Sequence, residues 1–171
     1  MSTRCYVGAT NAHQPHLVHA RFVLFDGYPT AVIRGLANIW AGHAHQDTHV
    51  LLAAVLAHDW EYLDSTTTSG VAGAVPGVGV PLAAAPDGTV EAPDPITVFP
   101  LSQAVHLDVA WIYLIDADTD TVAVHTGDGE PTGRYHLGAC VTVGPSPRRQ
   151  GGVARSLAPH HCCVPAPRVV P

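Results

Sequence analysis

The stretch from Ala110 to Thr126 constrains the fold most. AWIYLID and DTVAVHT, joined at Ala117-Asp118-Thr119, are two runs rich in β-branched and aromatic residues. Trp111, Tyr113 and Ile115 alternate with Ile112 and Leu114, the period of two that sends successive side chains to opposite faces of a strand. The short polar joint then makes this an antiparallel hairpin. A second hairpin is expected at the N-terminal end, where TRCYVGAT and LVHARFVLF flank the polar connection NAHQPH. Here Val18, Ala20, Phe22 and Leu24 alternate with His19, Arg21, Val23 and Phe25, so one face is expected to be core and the other mixed.

Between the hairpins the period changes to that of a helix. Pro29 suits the first turn, because its missing N–H costs nothing there and its φ is already helical. Ile33, Leu36, Ala37 and Trp40 then fall on one face with Ile39 at its flank, and Gly42 can end the helix, giving a first helix over about 30–41. Asp47 or Thr48 can cap a second helix carrying Leu51, Leu52, Val55 and Leu56, which stops near His58 unless AHDWEYLD extends it.

These elements predict a single α+β domain over residues 1–143. Its antiparallel sheet comes from the N-terminal and C-terminal hairpins and is covered on one face by the two helices. Residues 66–94 read as a long Gly/Pro-rich loop, in which AVPGVGVPL makes a type II turn at Pro-Gly and part can pair as a short edge strand. Order returns at ITVF, and a further short strand is expected around RYHL or CVTV. Residues 144–171 have no acids, many prolines and little periodicity, the signature of a disordered basic tail.

Charge divides along the same boundary. All 14 acids lie at or before Glu130 against only Arg4, Arg21 and Arg34, so residues 1–130 carry −11 and the remainder +5. An acidic body repels polyanions, and five arginines without interleaved aromatics make a poor polyanion site, so nucleic acid is not the expected partner; the tail can instead lie on its own acidic body. No apolar run reaches the roughly 18 residues of a membrane span, and MSTRCYVG lacks the pattern of a secretory signal. A cytoplasmic location and no membrane partner are expected. Cys5, Cys140, Cys162 and Cys163 do not form a disulfide framework and read as reduced thiols.

The opening Met1-Ser2-Thr3-Arg4 with Gly8, then Asp26-Gly27-Tyr28-Pro29 leading into a helix, then Asp59 with Tyr62-Leu63 and the late YLID, resemble a group of small uncharacterised proteins of bacteriophages and actinobacteria. These share an N-terminal MSTR hairpin and a DGYP turn, over most of residues 1–137. Many of them carry a His-Trp pair before DGYP, where this chain has Leu24-Phe25. The resemblance implies fold and ancestry and leaves activity open.

Several stretches carry residue types capable of chemistry. In HAHQDTH, the groups His43, His45, Asp47 and His49 stand at every second position. An extended segment would gather all four on one ion, and a helix would align His45 with His49. The stretch also looks like the HxHxDH zinc motif of metallo-β-lactamase-type hydrolases, with Thr48 inserted before the final histidine. The competing reading is a solvated joint between helices with Asp47 as cap. Asp116, Asp118 and Asp120 have calcium-loop spacing without the glycine and glutamate that an EF-hand needs, so a hairpin turn is expected. His160-His161-Cys162-Cys163 offers soft ligands without a second ligand pair.

Asp26 and Tyr28 lie where a strand ends and a helix begins, with Arg4 at the start of the neighbouring strand, and form the candidate ligand site, suited to an anion. There is no nucleophile elbow and no phosphate-binding glycine loop; Ser102 is the most core-like serine, and His106, His125 and His136 are expected on sheet faces. The expectation is a binding or interaction protein of phage or mobile-element character, with a protein or small anionic ligand as partner. No cofactor is expected, and zinc is the one that His43–His49 would admit. The alternative is a metal-dependent hydrolase built on that cluster.

Overall fold

In a computed structural model the described residues are 3–11, 13–71, 73–82 and 95–142. The expected tail, 144–171, and the second part of the Gly/Pro-rich stretch, 83–94, lie outside them. The chain runs β1 (Cys5–Thr10), β2 (Leu17–Val23), α1 (Pro29–Ala41), α2 (Thr48–Val55), β3 (Trp60–Leu63), β4 (Gly79–Pro81) and β5 (Thr97–Pro100). A 3-10 helix (Leu101–Leu107) follows, then β6 (Trp111–Asp116), β7 (Thr121–Thr126), β8 (Pro131–His136) and the single helical turn α3 (Leu137–Cys140).

The fold is the expected α+β arrangement, one mostly antiparallel sheet containing both hairpins. Its order is β4-β3-β2-β1-β6-β7-β8, with β5 pairing the first half of β2 beyond that path. The hairpins β1–β2 and β6–β7 join through a parallel pairing of β1 with β6, Cys5 opposite Trp111 and Val7 opposite Tyr113. A second parallel contact sets β3 against the end of β2 at Val23 and Trp60.

Alternation along the strands produces two cores. Cys5 and Val7 of β1, Val23 of β2, Tyr113 and Ile115 of β6, and Val122 and Val124 of β7 cluster with Leu36, Ile39 and Trp40 of α1 and Leu51 and Val55 of α2. Val18, Ala20, Ile112 and Leu114, which alternate with these, cluster with Phe99 of β5 and Ala104 of the 3-10 helix. Both sides of the central strands are therefore apolar, which accounts for the dense hydrophobic runs of AWIYLID. Half-buried Tyr6 extends the second core, its ring 5.7 Å from Phe22 and 5.5 Å from Phe99 between centroids.

Two expectations change. Helix α2 ends at Val55, short of His58, and DWEYL is a strand rather than a helical extension. The cause is tertiary: Trp60 Nε1–H donates to Val55 O at 2.7 Å and Arg21 Nε–H donates to Leu56 O at 2.9 Å, so side chains satisfy the last carbonyls. Within 66–94 the expected Pro-Gly turn and short edge strand are both present: Val75–Val78 forms the tight turn around Pro76-Gly77, Val78 N–H donating to Val75 O at 3.0 Å with Gly77 at φ +75, and it leads into β4 at the edge of the sheet. Val78 and Val80 are core residues there. Ser102 is exposed, and Ala104 is the residue of LSQAVH that points inward. Among the described residues no helix is long and apolar enough to cross a membrane.

Candidate functional site

The three residues of the expected ligand site meet at one corner. Pairing continues past β2, since Leu24 N–H donates to Trp60 O at 3.0 Å and Phe25 N–H to Glu61 O at 2.9 Å. The chain then reverses through Asp26, which takes φ +56. Gly27 locks the reversal: its N–H donates to Thr3 O at 2.8 Å, and its carbonyl accepts the phenol of Tyr113 at 2.8 Å. A Cβ on Gly27 would lie 2.5 Å from Thr3 O, so only glycine lets the turn approach β1 this closely. Burial pushes the Tyr113 phenol far above its ordinary range, so it stays a hydrogen-bond donor.

This frame displays rather than hides its side chains. Phe25 and Tyr28 are 39% and 45% exposed, and Asp26 between them is exposed as well. Arg4 lies against Gly27 through its backbone, while its guanidinium pairs with Asp108 at 3.0 Å, both side chains being well exposed. Such a pair contributes little to stability, and it leaves Arg4 partly neutralised. The start of α1 offers an anion few donors, because Pro29 has no N–H and the Ala31 and Val32 N–H groups donate to Tyr28 O at 3.0 and 3.1 Å.

In HAHQDTH, His43 to Gln46 run through tight turns and α2 begins at Thr48, and that decides its geometry. Ala44 N–H donates to Ile39 O, Gln46 N–H to Trp40 O and Asp47 N–H to Ala44 O, with His45 and Gln46 both at positive φ. The tight turns send Ala44 and Thr48 inward and leave His43, His45, Asp47 and His49 exposed. His43 stands against the Pro76-Gly77 turn, its ring 3.6 Å from where a Gly77 Cβ would sit. Asp47 Oδ1 accepts from His49 N–H at 2.9 Å and Val50 N–H at 3.2 Å, capping α2. Among the described residues no group of three or more His, Cys, Asp or Glu side chains could hold a metal ion. The four residues named for zinc are thus not gathered into a donor set.

What the segment does build is a buried link that the sequence reading missed. Thr48, 3% exposed, accepts from Trp40 Nε1–H at 2.8 Å, and its hydroxyl donates to Asp120 Oδ1 at 2.5 Å. Asp120 sits at φ +52 in the β6–β7 turn, and its carbonyl accepts from Leu137 N–H at 2.9 Å. Both helices, that turn and α3 are fastened together there. Of the calcium-spaced acids, Asp116 accepts from Asp118 N–H at 3.1 Å and pairs with Arg134 at 3.3 Å. The Thr119 hydroxyl chiefly holds the Asp116 carboxyl below its usual range. The acids complete a turn.

A second cluster is not visible in the sequence because Arg21 lies far along the chain from the consecutive His58, Asp59 and Trp60. Arg21, 4% exposed on the helix side of β2, caps the end of α2; Asp59 Oδ1 accepts Phe22 N–H at 2.9 Å; the His58 ring stands edge-on to Trp60, centroids 5.6 Å apart. Partial burial and the Arg21 charge lower the His58 pKa. The place of Arg21 inside an apolar alternation was the available signal. His125 Nδ1 meets Gly129 O at 3.1 Å on β7, His136 Nδ1 accepts Gly138 N–H at 3.2 Å, and His106 lies exposed on the 3-10 helix rather than on a sheet. Cys5 and Cys140 are buried and are not bonded to each other; the His160–Cys163 tract lies outside the described residues.

Comparison of the chain with family models, with curated proteins and with solved structures finds no match.

Proposed function

We propose that the protein is a binding protein that takes a protein partner at the Phe25–Tyr28 corner, and that the phage or mobile-element character implied by the resemblance belongs to the same reading. One observation carries it. Two large aromatic side chains stand in solvent on a reversal that is over-determined by the Thr3 O and Tyr113 hydrogen bonds and strained at Asp26. A non-glycine residue in the left-handed region costs on the order of 1–2 kcal/mol, and such strain persists where the surroundings hold it. Rigid exposed aromatics are the side chains that carry most binding energy at protein interfaces. A protein partner fits better than a small anion, because Arg4 is occupied by Asp108 and the helix start has few free donors.

A peptide-display selection on the full chain tests the proposal. Selected peptides are expected to bind about thirtyfold more weakly to Phe25→Ala or Tyr28→Ala, the loss from truncating a hot-spot residue worth about 2 kcal/mol. Peptides indifferent to both variants, or turnover of a phosphoester or ester panel that disappears in Asp26→Ala, overturn it.

A further inference from the structure

We infer that the outer edge of β8 joins two copies of the chain, strand to strand and antiparallel, into a weak symmetric dimer. The sheet ends in β8, and among the described residues no strand pairs with its far side. Such an edge is a row of peptide groups ready to extend the ladder. Which groups face outward follows from the register. Leu137 N–H donates to Asp120 O at 2.9 Å and Val122 lies opposite Tyr135, so Leu137, Tyr135 and Gly133 bond to β7 while the N–H groups of Arg134 and His136 point away from it. The other edges are cut short by proline, β4 being three residues ending at Pro81 and β5 four residues ending at Pro100. In β8 the proline stands at the first position and the five residues after it keep their N–H groups.

Charge permits the pairing. Two acidic bodies repel one another, but residues 131–142 hold no acid and a single arginine. A charged side chain commonly guards an open edge. Arg134 is instead drawn back across the sheet, its guanidinium 3.3 Å from Asp116 Oδ2 and 3.3 Å from Thr121 Oγ1, so its charge is offset within its own copy. The residues also select a register. A two-fold axis at Tyr135 sets Arg134 opposite His136 of the other copy, avoids facing arginines, and leaves Pro131 and the β-bulge at Thr132 outside the joint. The His136 N–H of each copy then donates to the Arg134 carbonyl of the other. The two Tyr135 rings do not collide, because each lies back over its own Gly133, 3.3 Å from where a Cβ would sit, and the strands run in opposite directions. Pairing over so few residues buries less than the roughly 1,200 Å² of a standard interface, so the dimer is weak, with a Kd on the order of 100 µM. The Phe25–Tyr28 corner, at the end of β2, lies four strands away, about 19 Å across the sheet, so a dimer carries two such corners.

Sedimentation velocity of the full chain, from about 10 µM to about 1 mM, tests the inference against His136→Pro and His136→Ala. His136 has φ −83, close to what proline adopts, and its N–H makes no bond to β7, so the proline variant keeps the ladder within the chain and loses the donor to the other copy. The His136 ring also caps α3 by accepting Gly138 N–H at 3.2 Å, and the alanine variant controls for that loss. The unmodified chain and His136→Ala are expected to dimerise alike, and His136→Pro to raise Kd at least tenfold. A monomer at every concentration, a dimer indifferent to His136→Pro, or an equal loss in His136→Ala overturns the inference. If the proline variant does not fold, the unmodified chain still decides. Its 15N amide shifts are expected to change with concentration at Arg134–Leu137, and changes that are absent or centred on Phe25–Tyr28 refute pairing through β8.

Discussion

Replacing Thr48 by Val tests how the two helices are fastened to the β6–β7 turn. The substitution keeps volume and branching but removes a hydroxyl that accepts from Trp40 Nε1–H at 2.8 Å and donates to Asp120. Trp40 is buried, so its N–H loses its partner with no route to water, which costs about 1–3 kcal/mol. Asp120 is half-exposed and can turn to solvent, so its share is smaller, about 1 kcal/mol. The sum is about 3 kcal/mol, or a fall in Tm of roughly 6–12 °C for a chain of this size. Urea denaturation of the full chain, followed by far-UV circular dichroism, measures it, and Thr48→Ser is expected to recover most of the loss. The cycle with Trp40→Phe separates the hydrogen bond from packing: with the donor already gone, Thr48→Val is expected to cost at least 1 kcal/mol less than it does alone. Costs that simply add, or a single-variant loss under about 0.5 kcal/mol, refute the reasoning.

Three further outcomes are expected. Gly27→Ala, which forces a Cβ to within 2.5 Å of Thr3 O, is expected to cost about 1–3 kcal/mol by denaturation and to shift the amide resonances of Thr3–Cys5. Asp47→Ala removes the acceptor for His49 and Val50 N–H and is expected to cost about 1 kcal/mol, while Asp47→Asn recovers most of it. Because the folded pKa of His58 is lowered, its contribution to stability is complete above the ordinary imidazole value near 6.5 and is lost as pH falls through the folded value. The urea midpoint of the unmodified protein should therefore drop relative to His58→Phe between pH 7 and 5, and parallel midpoints would contradict this.

The local elements were legible wherever one period dominated. The hairpins, α1 from Pro29 and the Asp47 cap of α2 follow from alternation, from helical spacing and from a side chain that bonds its own neighbours, all effects confined to a few adjacent residues. The end of α2 was not legible, because donors from Trp60 and from Arg21, 35 positions before Leu56, stop it. The VPGVG turn was visible as a turn, but its neighbour Val78 as a core residue was not, since its burial depends on where the turn is packed. HAHQDTH shows the same limit in the candidate site: residue types and spacing allow convergence, and only the backbone path through His45 and Gln46 shows them spread apart.

For this protein the sequence by itself determined the class of fold, the position of its helices and hairpins and the separation of an acidic body from a basic end. Each is a sum over neighbours or over composition, and neither needs distant partners. The tertiary structure decided the parallel junction of β1 with β6, the buried Trp40–Thr48–Asp120 link and the meeting of Thr3, Gly27 and Tyr113 that holds Phe25 and Tyr28 in solvent. Those contacts join residues up to 106 positions apart, and their energies exist only once the sheet has brought the segments together.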